Sequence, residues 1–109
     1  MKKLMALKEL MELSEQYLQN GKFEKSLLIL NKLSSGELEA GLKEVILSLR
    51  IESLICLKDY EHAEKRIGEL IELNKDYPMA YFHRAVISFK ENDLKNALRH
   101  TEESIRIAE

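Results

Sequence analysis

The chain has one cysteine, one proline, four glycines and no tryptophan in its 109 residues. A single cysteine, Cys56, excludes an intrachain disulfide framework and fits a reducing compartment. The lone proline, Pro78, and glycines only at 21, 36, 41 and 68 are too few for a turn-rich β protein. No stretch approaches 18 uninterrupted apolar residues, so no membrane span is expected. Met1-Lys2-Lys3 opens like a secretory leader, but Glu9 and Glu12 interrupt the apolar run before any cleavage-like site, so no signal peptide is expected. An excess of basic charge is also missing. Lys plus Arg is 17 and Asp plus Glu is 19, a net charge of −2 with the signs interspersed, which makes a poor ligand for phosphate backbones. A cytoplasmic protein without nucleic-acid or membrane partners is expected.

Hydrophobic residues make up 45% of the chain and charged residues 33%, the composition of a globular domain and not of a disordered tail. Apolar residues recur at spacings of three and four. Leu10, Leu13 and Tyr17 form one stripe, Leu27, Leu30 and Leu33 a second, and Leu47, Ile51, Leu54 and Leu57 a third. No convincing period-two alternation occurs. The breaks between stripes carry helix-terminating chemistry. Gly21 after Asn20 suits a left-handed C-terminal residue, as does Asn92. Asp59 and Asp93 stand where a helix begins and can accept orphan N–H bonds. Ser34 with Glu37 reads as a capping box, and Pro78 fits a first helical turn. The pattern predicts six helices, about 3–19, 23–33, 38–57, 60–74, 78–90 and 94–108, joined by connections short enough for antiparallel neighbours.

The helices pair into copies of one hairpin. Asn20-Gly21-Lys22-Phe23, Leu57-Lys58-Asp59-Tyr60 and Glu91-Asn92-Asp93-Leu94 align, each followed three residues on by a small side chain: Ser26, Ala63 and Ala97. The spacings are 37 and 34 residues. Small residues at these positions let two helices approach closely.

On these residues, and on Tyr81 followed by Ala85 after the junction Leu73-Asn74-Lys75-Asp76-Tyr77-Pro78, the chain resembles the tetratricopeptide repeat family. Three repeats, about 3–36, 38–76 and 78–109, fill a single domain of residues 1–109. Three departures stand out. Lys75 takes the place of the usual junction proline, Ile51 is large where the family favours Gly or Ala, and the first junction carries three extra residues around Ser35. The resemblance implies an all-α, right-handed superhelix whose first helices line a concave groove. The groove positions it implies are Met11, Glu15 and Leu18; Val45, Ser48 and Glu52; and Met79, Phe82, Val86 and Phe89. Family members that clamp a C-terminal carboxylate use Lys, Asn and Arg. Here the matching positions are Met11, Glu15, Leu49, Met79 and His83, so that clamp is absent. An apolar floor with two acidic spots instead suits a protein or peptide segment with apolar anchors and flanking Lys or Arg.

Enzymatic chemistry has no residue pattern behind it. His62, His83 and His100 lie on different helices without paired ligand spacing, so no metal is expected. Cys56 sits among Leu54, Ile55 and Leu57 and reads as a small buried hydrophobe rather than a nucleophile. No glycine-rich phosphate loop is present, Glu102-Glu103 point to different sides of a helix, and no cofactor is expected. The expectation is a non-enzymatic scaffold that binds a peptide or partner helix. The alternative is a homodimerisation module, because Leu98, Ile105 and Ile107 on the last helix have no further repeat in this sequence to cover them.

Overall fold

A computed structural model describes the backbone of residues 2–109 and the side chains of residues 6–39 and 41–109. It contains six helices: α1 (Lys2–Gln19), α2 (Phe23–Ser34), α3 (Ala40–Cys56), α4 (Tyr60–Leu73), α5 (Pro78–Lys90) and α6 (Leu94–Ala108). No strand occurs among the described residues, and none of these helices is long and apolar enough to cross a membrane. The helices pack in consecutive pairs, α1 with α2, α3 with α4 and α5 with α6, and each pair leans on the next. Successive first helices touch (α1 with α3, α3 with α5), whereas α2 and α4, or α4 and α6, do not. The stack is therefore drawn together along the α1–α3–α5 side. Its extents are 46 × 28 × 20 Å.

The same turn is built three times. Gly21, Lys58 and Asn92 take left-handed conformations, with φ of 77°, 63° and 62°. Each is followed by a residue whose amide reaches back to the preceding helix: Lys22 N–H to Tyr17 C=O at 2.8 Å, Asp59 to Leu54 at 2.9 Å and Asp93 to Ser88 at 2.8 Å. These six-to-one bonds satisfy carbonyls that a helix end leaves orphaned. The following residue then opens the second helix with nearly identical dihedrals, φ/ψ of −93/64° at Lys22, −92/71° at Asp59 and −94/74° at Asp93. Asp59 and Asp93 accept the backbone N–H of His62 and Asn96, while Lys22 makes no side-chain cap.

The small residues sit where the hairpins close. Ser26 and Ala63 are fully buried and Ala97 nearly so. Ser26 Oγ donates to the Ser14 carbonyl at 2.8 Å, tying α2 to α1. The main apolar cluster is centred on the second hairpin, with Ile51, Ile67 and Leu70 completely enclosed and Leu27, Tyr77 and Tyr81 packed against it from the flanking hairpins. Each such buried aliphatic side chain contributes about 1.5–3 kcal/mol. A single core thus runs through all three hairpins.

The first junction departs from expectation. Ser34 is the last residue of α2, its hydroxyl donates to Leu30 C=O at 2.8 Å, and the Ser35 hydroxyl donates to Lys32 C=O at 2.7 Å. Both serines are spent closing α2, so the Ser34–Glu37 capping box does not form. Glu39, extended and without a side-chain cap, precedes α3, which starts at Ala40 rather than at 38.

Candidate protein-binding face

The residues expected to line the groove come from α1, α3 and α5, the helices that touch along the tight side of the stack. On α5, Phe82 is 46% exposed, Phe89 64% and Met79 40%. Val45 on α3 is also exposed, and Met11 and Leu18 on α1 are half-buried. Val86 is different. It is half-buried and packs against the central cluster, so much of its side chain belongs to the core. Ile55, from the same helical stripe as Glu52, is fully core.

The polar members are coupled across helices. Glu15 and Glu52 are exposed, and the Glu52 carboxyl is held above its ordinary range, first by partial burial and second by the charge of Glu15. Their fields therefore overlap between α1 and α3, making one acidic spot rather than two. Ser48 Oγ and His83 Nε2 are hydrogen-bonded at 2.8 Å, joining α3 to α5 beneath the face. His83 is only 3% exposed, and burial lowers its pKa to about 4, so its ring is neutral at pH 7. It cannot serve as a cationic clamp. The Phe82 ring lies 6.5 Å from that of His83 at an interplanar angle of 57°, so it stands beside the buried imidazole.

Cys56 is exposed, contrary to the buried position its apolar neighbours suggested. It is the last residue of α3, just before the chain turns at Lys58. Its thiol is pushed above its ordinary range, first by partial burial and then by Glu52, with Lys90 opposing. A thiol held protonated is a poor nucleophile. Among the described residues no group of three or more His, Cys, Asp or Glu is arranged to hold a metal ion.

Two features escaped the sequence reading. The first is a cleft of about 590 Å³ between the α1/α2 hairpin and the start of α3, walled by Leu7, Leu10, Leu33, Leu38 and Leu42. It opens beside the first junction, which carries the three extra residues. The second is the exposure of Leu94 on α6, beside the residues expected to be open there. Leu98 and Ile105 are exposed, as is Leu94 at 63%, whereas Ile107 is half-buried. Leu94 could have been found by aligning it with Phe23 and Tyr60. A scan against protein-family models, a search of curated proteins and a search of solved structures each find no match to this chain.

Proposed function

We propose that this chain is a non-enzymatic, cytoplasmic adaptor of the tetratricopeptide type that binds an amphipathic segment of another protein along α1, α3 and α5. The observation that carries this reading is the exposure of Met79, Phe82 and Phe89 on α5, a helix that packs against α3, whose Glu52 is coupled to Glu15. Contiguous exposed apolar side chains rimmed by charge mark interaction sites on soluble domains. Methionine and phenylalanine supply a deformable, high-area floor. The carboxylates select for Lys or Arg beside the ligand's apolar anchors.

The test uses two synthetic helical peptides with the same leucine stripe, one flanked by Lys and Arg and one by Glu. The basic peptide binds, weakens with added salt, and loses about tenfold or more of its affinity to the Phe82→Asp variant. Equal binding of the acidic peptide, or binding indifferent to Phe82→Asp, defeats the proposal.

A further inference from the structure

Helices α2 and α4 do not touch each other, although α3 packs against both. Between them lies a second cleft, of about 240 Å³, floored by the buried Ile46 and Leu47 of α3. Arg50 of α3 and Glu69 of α4 stand at its wall, and Lys43 lies two turns before Arg50 on the same face of α3. The half-buried Arg50 is aimed by its neighbour on α2: its Nε donates to Asn31 Oδ1 at 3.0 Å. Its terminal nitrogens have no ion-pair partner among the described residues, and neither has Lys43. Arg66, one turn before Glu69 on α4, brings a second guanidinium. Glu69 meets it at one terminal nitrogen, 3.2 Å away, while Arg66 Nε is enclosed and has no acceptor. The carboxylate therefore engages this guanidinium at one point and not as a two-point fork. The field in the gap is positive. Arg50 is held below its ordinary range first by burial and second by the charge of Arg66, with Glu69 opposing less strongly. The acids Glu37 and Glu39, with Lys32, wall the other cleft, beside α1.

We propose that the gap between α2 and α4 binds a single phosphate group, held between the guanidiniums of Arg50 and Arg66. Two like charges brought together with one carboxylate between them leave an excess of one positive charge, and Lys43 adds to it from the far end of the floor. A tetrahedral dianion has oxygens enough to meet both guanidinium forks at once, which a planar carboxylate cannot do. Guanidinium is also the cation that tolerates partial burial, because it is weakly hydrated and stays charged. One phosphate needs only this local excess and not a basic surface, so a chain of net charge −2 can hold it. Glu69 is the competitor. It occupies a nitrogen of Arg66 and repels the incoming anion, so it sets the affinity low, with a Kd on the order of 1 mM. The site lies on the open α2–α4 side of the stack, and it stands independently of the peptide-binding reading.

The side-chain Nε–H resonances of Arg50 and Arg66 report on it directly. The full chain is titrated with inorganic phosphate, methyl phosphate and acetate in turn, at constant ionic strength, with far-ultraviolet circular dichroism as the folding control. The expected result is a saturable shift of both resonances with phosphate near 1 mM and none with acetate at that concentration. Arg50→Gln and Arg66→Gln each weaken binding about tenfold, and Lys43→Gln weakens it less. Glu69→Gln tightens it about threefold or more, a gain that damage to the fold cannot produce. Methyl phosphate binding as well as the free ion assigns the site to a phosphate ester. Binding of inorganic phosphate alone assigns it to the free ion, and either result supports the site. Resonances unmoved up to about 20 mM phosphate overturn the proposal. So does acetate that binds as tightly, or a Glu69→Gln variant that binds phosphate no better than the wild type.

Discussion

Ser48 on α3 and His83 on α5 meet at 2.8 Å in a hydrogen bond between two side chains that ties the second hairpin to the third. The imidazole at its centre is 3% exposed and its pKa is lowered to about 4 by burial, against about 6.5 in the unfolded chain. The unfolded state therefore takes up a proton that the folded state refuses. The contribution of neutral His83 is complete above pH 6.5 and is lost progressively as the pH falls from 6.5 towards 4, by up to about 3 kcal/mol. His83→Gln keeps a polar partner for Ser48 but cannot titrate. Urea midpoints measured between about pH 7.5 and 4.5 should fall more steeply for the wild type than for this variant. Parallel curves would show that the histidine does not carry the acid sensitivity.

Binding and stability separate on α5. Phe82 projects to solvent, so Phe82→Asp should cost less than about 1 kcal/mol of folding stability while removing ligand. Val86 lies four residues on, half-buried against the central cluster, and Val86→Asp places a carboxylate there at a cost of about 2 kcal/mol or more. Thermal unfolding of the two variants should therefore differ clearly. A similar Tm for both would mean that Val86 belongs wholly to the open face.

How far the sequence reached is visible in the turns. Six helices were legible to within one or two residues at most ends, because left-handed C-terminal residues and aspartate caps recur at fixed offsets. Lys58 was legible only by alignment with Gly21 and Asn92, since nothing in a lysine favours φ of 63°. The first junction was misread because Ser34 and Ser35 serve equally well to start a helix or to finish one. Which they do depends on whether the carbonyls of Leu30 and Lys32 need partners. At the binding face, residue positions followed from periodicity, but the depth of Val86, the burial of His83 and the exposure of Cys56 are set by how closely hairpins lean together. No periodicity encodes that distance.

The repeated turn also says what the first copy lacks. Lys22 has the same dihedrals as Asp59 and Asp93 but no side-chain acceptor for the first-turn amides. Lys22→Asp should supply one to the Lys25 N–H and remove a positive charge from a helix N-terminus, raising stability by about 0.5–1 kcal/mol. Lys58→Gly should gain a similar amount by relieving the left-handed backbone. Denaturant midpoints of both variants and of the double variant test this. The gains should add, because the two turns are separate sites. A loss at Lys22→Asp would mean that its dihedrals do not permit the cap seen at the other two.

The closest approach of two helices in each hairpin fixes the last expectation. Ala63 is fully buried at the closure of α3 on α4, where Ile51 already occupies the position that Ser14 and Ala85 fill in the other hairpins. Ala63→Leu must find room for three more carbons beside that isoleucine and should cost about 1–3 kcal/mol by forcing the helices apart. Ser26 occupies the same position in the first hairpin and adds a hydroxyl, which donates to Ser14 C=O at 2.8 Å and lies 3.4 Å from Ser53 Oγ. Ser26→Ala removes both contacts, yet Ser53 keeps its bond to Leu49 C=O at 3.0 Å and no buried donor is orphaned. The change should therefore cost less than about 1 kcal/mol, since alanine is what the other two hairpins use there. Equilibrium unfolding of both variants decides between volume and hydrogen bonding as the constraint at this position. A larger loss from Ser26→Ala than from Ala63→Leu would show that the serine's bonds, and not its size, hold the first hairpin shut.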